Sequence, residues 1–160
     1  MATKQSSNGR FTGEIAIDAT DRLLLGELQE DGRMSLAELG RRVGLSAPAV
    51  AERLQRLEGA GAILGYRAQV DPRALGFSLS AVIRIRPAPR ELRKVADVVR
   101  DTPEVVECHR ITGEDCYLMR VHLRDVEHME EVIDRFAVYG QTTTSIVQSS
   151  PVPPRAVPVD

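Results

Sequence analysis

The chain has 160 residues, of which 42% are hydrophobic, and this length suits one medium-sized domain or two small ones. Its 21 basic and 23 acidic residues give a net charge of −2, which excludes a wholly basic nucleic-acid coat and an acidic disordered chain but permits a local basic patch. With no apolar run typical of a transmembrane helix or a signal peptide, and only two cysteines, we expect a cytoplasmic protein with reduced thiols.

In the first part of the chain, apolar residues recur at the spacing of an α-helix. This pattern predicts three helices after a flexible lead over residues 1–14. We expect Asp18, Ser35 and Ser46 to cap these helices, because short polar side chains accept hydrogen bonds from the free N–H groups of a first turn. Glu38 follows Ser35 by three residues, as in a capping box. A short glycine-containing turn between the second and third helices indicates a helix-turn-helix.

After residue 61 the pattern changes to strands alternating with helices. Ile63–Val70 predicts a connecting strand, and from Leu79 onward the order is β-α-β-β-α-β, the ferredoxin-like pattern. The proline-rich end predicts an extended segment, either a disordered tail or a strap across a partner subunit. The predicted class is α+β, and the predicted parts are a lead 1–14, a helix-turn-helix domain 15–61, a connecting strand and linker 62–76, a ferredoxin-like domain 77–150 and a Pro-rich tail 151–160.

The third helix is predicted to read DNA bases, because the corresponding helix of a helix-turn-helix lies in the major groove. A helical projection centred on Val50 turns Pro48, Ala51, Glu52 and Gln55 away from the core. Gln55 can pair with adenine, Glu52 can accept from cytosine, and Ala51 or Pro48 can contact a thymine methyl group. The predicted DNA-binding residues are Arg33, Ser35, Arg41, Arg42, Ser46, Ala47, Pro48, Ala51, Glu52, Arg53, Gln55 and Arg56.

A local excess of arginine coincides with this region. Residues 33–56 hold five arginines against two glutamates, a net charge of +3. We expect Arg33, Arg41 and Arg42 to contact phosphates and set the register on DNA. A patch of this size is too small for strong binding by a monomer, so DNA binding is expected to need a dimer.

Six segments of the chain, spread over roughly residues 15–150, together resemble the Lrp/AsnC, or feast/famine, transcriptional regulators. They read IDATDRLL (17–24), DGRMS (31–35), ELGRRVGLS (38–46), RLQRLE (53–58), GAILGY (61–66) and ECHRITG (107–113). The resemblance implies an N-terminal winged helix-turn-helix followed by a ferredoxin-like effector-binding and oligomerisation domain. It also implies homodimers formed through the sheet, further assembly that often reaches octamers, and small ligands, usually amino acids, bound between dimers.

The resemblance places the effector site at the turn before Tyr117. The family pattern Thr/Ser-Gly-Asp-x-Asp-Tyr reads Thr-Gly-Glu-Asp-Cys-Tyr here, so Cys116 stands where many relatives have Asp. A thiol cannot hold an ammonium group as a carboxylate does, so either Glu114 or Asp115 substitutes or the ligand differs. The alternative is that these two acids only form a polar hairpin turn. The predicted effector-binding residues are His109, Thr112, Gly113, Glu114, Asp115, Cys116, Phe136, Thr144 and Ser145.

The sequence therefore predicts a sequence-specific regulator whose partners are double-stranded DNA, an amino acid or similar small effector, and further copies of the chain, without a membrane. One alternative is a histone-like architectural DNA-binding protein without a ligand. Another is a metabolite-binding or enzymatic ferredoxin-like module, since this fold hosts many chemistries. Because no phosphate loop, catalytic-triad order or metal-like histidine spacing occurs, we expect no catalysis, cofactor or metal.

Overall fold

A computed structural model of the protein describes residues 15–159, which form parts of two compact units. The first unit comprises the chain up to Ala68 together with the segment from Val152 onward, and the second comprises Gln69–Pro151. The predicted flexible lead over residues 1–14 lies outside the described residues. Within the described part of the chain, no helix is long and apolar enough to cross a membrane.

The first unit contains the three predicted helices, α1 (Ala19–Glu30), α2 (Leu36–Val43) and α3 (Ala47–Gly59). The side chains of Asp18, Ser35 and Ser46 each accept a hydrogen bond from a backbone N–H three residues further on, which confirms the predicted caps. Gly44 ends α2 with φ at 73°, in the left-handed region that favours glycine. The chain therefore turns directly from α2 into α3, as a helix-turn-helix requires.

The predicted capping box at α2 is only half formed. Ser35 accepts from the Glu38 N–H at 3.2 Å, but the Glu38 carboxylate accepts from Arg42 Nε at 2.9 Å instead of reaching back to the cap. An arginine one turn further along the helix offers a charged donor, which is stronger than a backbone N–H. The complete box lies at α1, where Asp18 and Asp21 accept from each other's backbone N–H.

The three helices share a small core in which each helix contributes fully or almost fully buried leucine or valine. Its buried members are Leu24, Leu39, Val50, Leu54 and Leu57. Gly40 sets how closely the turn after α2 approaches that helix, since a Cβ built on it would lie 2.4 Å from the Leu45 carbonyl oxygen. Real Cβ atoms do not tolerate such a contact with backbone, so this turn depends on glycine.

The predicted strand over Ile63–Val70 is wrong. This segment forms neither helix nor strand, and among the described residues no strand flanks the three helices, so the wing implied by the resemblance has no strand pair here. Leu64, Tyr66 and Val70 are 74%, 48% and 58% exposed. Residues with strand preference form a strand only where a neighbouring strand exchanges backbone hydrogen bonds with them, and none of residues 15–159 does so for this segment.

The proline-rich end lies against α1 of the first unit. The Gln29 side chain donates to the Val157 carbonyl at 3.0 Å and accepts from the Val157 N–H at 2.7 Å. The prolines around it lack backbone donors, but Val157 keeps both of its polar backbone groups. The amide of Gln29 satisfies both of them at once.

The second unit has the predicted β-α-β-β-α-β order, preceded by a short 3₁₀ helix, Pro72–Leu75. The antiparallel sheet has the strand order β2-β3-β1-β4, which confirms the ferredoxin-like pattern. The elements are β1 (Leu79–Pro87), α4 (Leu92–Arg100), β2 (Val105–Arg110), β3 (Tyr117–Leu123), α5 (Val126–Ala137) and β4 (Gly140–Ile146).

The two faces of this sheet differ in character because side chains alternate along each strand. One face packs on α4 and α5 and forms the core, whose buried members are Ala81, Ile83, Ile85, Val95, Tyr117, Met119, Val121, Leu123, Val132 and Phe136. The other face, here called the open face, carries side chains that are half-buried or exposed. It includes Ser80, Val82, Arg84, Arg86, Leu118, Arg120 and His122.

Candidate functional site

The start of α3 presents the residues predicted to read bases. Pro48, Glu52 and Gln55 are exposed, while Ala51 is half-buried. Ser46, also exposed, caps the helix, and Ala47 at the first helical position is half-buried. The helical projection therefore describes this surface correctly. Glu52 and Gln55 therefore lie on the exposed face of α3, the helix that would enter the major groove.

Two arginines of the predicted DNA-binding set turn toward α1. Arg53 Nη1 lies 2.7 Å from Asp18 Oδ2 and 2.8 Å from Asp21 Oδ1. Arg56 Nη2 lies 2.8 Å and 2.7 Å from the two carboxylate oxygens of Asp21. Both guanidinium groups therefore serve an ion-pair network that ties the recognition helix to the start of α1. We call these four residues the Asp21 network.

Asp21 is fully buried, although it is charged. Burial raises the pKa of Asp21, but the Asp18 backbone N–H, Arg53 and Arg56 together outweigh it and hold this pKa below the ordinary value of 3.8. The Asp18 pKa is also lowered, chiefly by the hydrogen bond from Arg53. The two carboxylates are therefore ionised at neutral pH, and their negative charge holds Arg53 and Arg56 of α3 beside the start of α1.

The arginines of α2 are also paired with acids. Arg42 Nη1 lies 2.7 Å from Glu27 Oε2, and its Nε lies 2.9 Å from Glu38 Oε1, while Arg41 also contacts Glu38. Arg33 is exposed, and its backbone N–H donates to Asp31. Ser35 is exposed at the cap of α2. The net charge of +3 counted along residues 33–56 is therefore partly neutralised, because acids of α1 lie beside these arginines.

The predicted effector turn connects β2 to β3. The Ile111 N–H donates to the Cys116 carbonyl at 3.0 Å, and the Cys116 N–H donates to the Ile85 carbonyl at 2.9 Å. Gly113 has φ at 111°, where side-chain-bearing residues are strained, and a Cβ there would meet no atom within 4 Å. Thr112 and Gly113 are exposed, so their backbone is open to a ligand.

The carboxylates of the turn have arginine partners on β1. Glu114 contacts Arg86, whose Nε also donates to the Glu114 carbonyl at 3.1 Å, and Asp115 lies 3.4 Å from Arg84 Nη1. The predicted effector-binding residues do not include these arginines. Side chains alternate along a strand, so Arg84 and Arg86 both lie on the open face of the sheet. The turn therefore combines both signs of charge in one cluster, which we call the effector turn (Thr112–Cys116 with Arg84 and Arg86).

The remaining predicted effector residues do not converge on this cluster within one chain. Thr144 pairs with Ile83 and Ser145 with Val82, so they face opposite sides of the sheet. His109 is exposed and pairs with Glu107 at 2.8 Å. Phe136 corrects the prediction: it is fully buried in the core, so its ring cannot contact a ligand on the surface of the unit.

Comparison with known proteins also divides the chain into a helix-turn-helix domain and a ligand-binding domain. Residues 17–58 match the AsnC-type helix-turn-helix domain, and residues 80–157 match the Lrp/AsnC ligand binding domain. The chain is 32% identical over 135 residues to the HTH-type transcriptional regulator LrpC of Bacillus subtilis (strain 168), covering 84% of this chain and 94% of LrpC. It is 38% identical over 120 residues to the leucine-responsive regulatory protein of Escherichia coli (strain K12), covering 73% of each chain.

Solved structures agree with these sequence comparisons. The transcriptional regulator NMB0573 of Neisseria meningitidis, solved as a complex with L-Met, superimposes with a TM-score of 0.83 at 30% identity, covering 91% of this chain and 98% of that one. The agreement extends over both units of the chain described above. The chain belongs to the Lrp/AsnC family of transcriptional regulators.

Proposed function

We propose that the chain binds operator DNA through α3 as a homo-oligomer in the cytoplasm, and that an amino acid bound at the effector turn changes this binding. The observation that carries the proposal is the pairing of two separate surfaces in one chain. One is an exposed base-reading face on α3, held by the Asp21 network, and the other is a turn that offers both signs of charge. A regulator without catalytic activity needs these two surfaces and no reactive group.

On DNA, the proposed base contacts are made by the exposed start of α3. Gln55 suits adenine, Glu52 suits a cytosine amino group, and Pro48 or Ala51 suits a thymine methyl group. Arg33, Arg41 and Arg42 are proposed to contact phosphates, which requires Arg42 to share its guanidinium between Glu27 and the DNA backbone. Because acids neutralise much of the local charge, one unit alone should bind weakly.

A dimer would carry two copies of α3 and would therefore bind DNA more strongly than one unit. We propose that it forms through the open face of the sheet, where Val82 and Leu118 stand half-buried among polar residues. A single-layered sheet gains stability when its second face is covered, and two-fold pairing of identical faces is the commonest way for copies of one chain to do so. Dimers are proposed to assemble further, up to octamers, and to bring effector turns of neighbouring copies together.

At the effector turn, an amino acid offers groups that match the charges present. Its ammonium group suits Asp115 or Glu114, and its carboxylate suits the Gly113 backbone or the guanidinium groups of Arg84 and Arg86. The methionine complex of the related Neisseria meningitidis regulator supports an amino acid as the effector class. Cys116, which replaces a carboxylate of many relatives, leaves the ammonium group to the two acids of the turn.

Two measurements on the full chain test this proposal. A thermal-shift screen against the twenty amino acids should raise the Tm with at least one of them, because a ligand that binds only the folded state stabilises it. Mobility shifts with the gene's own upstream DNA and a scrambled duplex should then show a preference for the upstream DNA. An architectural protein would instead bind both duplexes alike and respond to no amino acid.

A further inference from the structure

The chain passes between its two units twice. The first passage lies between Ala68 and Gln69, and the second lies between Pro151 and Val152, shortly after β4 ends at Ile146. The second passage delivers residues 152–159, here called the C-terminal segment, to the surface of α1. The unit that carries the recognition helix is therefore connected to the effector unit at two places along the chain.

The C-terminal segment is held on α1 by its backbone. Gln29 and Val157 exchange two hydrogen bonds, of 3.0 Å and 2.7 Å, in the way that neighbouring residues of two strands do. Three of the eight residues of the segment are prolines, which lack a backbone donor, so five positions could form such a pair. Val157 is itself 72% exposed, so its backbone rather than its side chain makes the contact.

Apolar contacts surround this pair. Pro158 and Val159 line a groove of about 510 Å³ together with Leu25, Leu28 and Tyr66. A Cβ built on Gly26 would lie 3.4 Å from Val159 Cγ2, so the absence of a side chain on α1 brings the segment close to the helix. The segment therefore forms one wall of this groove. A proline-rich segment is already extended, so it loses little conformational freedom when it docks on a helix.

We propose that the C-terminal segment is an intramolecular strap whose docking on α1 raises the affinity of the protein for its operator. The strap makes no contact with α2 or α3 through this groove, so it acts by restricting the DNA-binding unit and not by contacting DNA. Binding two half-sites at once requires the two DNA-binding units of a dimer to be held at a suitable spacing. If the strap already restricts the motion of each unit, less conformational entropy is lost when the dimer binds DNA. The inference rests on the proposed operator binding.

The test compares four variants of the full chain. Gln29→Ala removes both hydrogen bonds while leaving a good helix former on α1, and Val157→Pro removes the N–H donor from the strap. Gln148→Ala and Val152→Pro are the matched controls, because neither residue has a hydrogen bond or ion pair with the described part of the chain. The readouts are hydrogen exchange of the Val157 N–H and the Kd for operator DNA.

We expect Gln29→Ala to speed exchange of the Val157 N–H about tenfold, as the loss of two net hydrogen bonds would. Gln29→Ala and Val157→Pro should both weaken operator binding about five- to tenfold, whereas both controls stay within about twofold of the parent chain. Equal exchange in the parent and in Gln29→Ala would show that the strap is not docked and would overturn the proposal. Faster exchange with unchanged operator affinity would overturn its role in binding.

These outcomes separate the strap from the function on which it rests. If the parent chain prefers its operator and the strap variants equal it, only the strap proposal fails. If the parent chain binds operator and scrambled DNA alike, the proposed function fails and the strap proposal fails with it.

Discussion

Arg56 donates to both carboxylate oxygens of Asp21, at 2.8 and 2.7 Å, across 35 positions of sequence, and Asp21 is fully buried. This contact ties α3, the helix proposed to bind DNA, to the first turn of α1. Arg53 completes it from one turn earlier on α3. Two arginines that the sequence predicts to bind DNA therefore hold α3 against α1 instead, whereas Gln55 remains exposed on the same helix.

Asp21→Ala should lower the free energy of unfolding by about 2–3 kcal/mol, because it removes an acceptor of charged hydrogen bonds and half of the capping box. The arginine partners are partly exposed, which keeps the loss below that of a fully buried ion pair. Glu30→Ala, on the exposed end of the same helix, should change it by less than about 0.5 kcal/mol. Urea unfolding followed by circular dichroism measures both, and equal values for the two variants would contradict the role of the network.

The pH dependence of stability should carry the signature of the same carboxylate. The folded pKa of Asp21 lies below its ordinary value of 3.8, so the unfolded chain binds the proton more readily. The contribution of the Asp21 carboxylate to the free energy of unfolding is therefore complete above about pH 5. This contribution is lost as the pH falls through 3.8 toward the folded pKa. Unfolding free energies measured between pH 6 and pH 3 should fall less steeply in Asp21→Asn, and parallel slopes would refute the assignment.

Gly40→Ala should destabilise the first unit by about 1–3 kcal/mol, since the added Cβ would lie 2.4 Å from the Leu45 carbonyl oxygen and the turn would have to shift. Gly59→Ala is the matched control, because the same substitution late in α3 meets no atom within 4 Å. It should leave stability unchanged or raise it slightly, as alanine favours helix. A Gly40→Ala chain as stable as Gly59→Ala would show that the turn is looser than described.

The sequence predicts the helical caps, the strand order and the exposed face of α3, because each follows from local spacing or polarity. It does not predict that Arg53 and Arg56 turn toward Asp21, since this depends on how α1 and α3 cross. The burial of Phe136 is also not predicted as a reason to exclude it from the site. An aromatic side chain can pack in a core or contact a ligand, and only the packed structure shows which. The strand predicted over Ile63–Val70 is wrong because no strand within residues 15–159 pairs with it, and strand pairing cannot be deduced from residue preference alone.

The side chains of α3 and α2 should affect DNA binding in different ways. Gln55→Ala should relax the preference at one base position, at a cost of about 1–3 kcal/mol for the preferred base. Arg42→Ala should weaken binding to all sequences and reduce the salt slope by about one. Selection from a randomised duplex library, with salt titrations of the best sequence, separates the two. Unchanged base preference in Gln55→Ala would remove this residue from the reading face.

Gly113→Val should abolish the response to an amino acid while leaving the operator complex formed. Valine at a φ of 111° is strained, and its side chain would stand over the backbone that is proposed to receive the ligand carboxylate. Calorimetry with the amino acid that stabilises the parent chain best is the measurement. Undiminished affinity in Gly113→Val would move the effector site away from this turn.

Footprinting of the full chain on the DNA upstream of its own gene, with and without the best-stabilising amino acid, distinguishes ligand-responsive operator binding from architectural DNA binding. We expect protected half-sites about one helical turn apart, or a multiple of it, and a change in protection or affinity when the amino acid is added. Uniform protection along the whole duplex, unaltered by any of the twenty amino acids, would contradict this expectation.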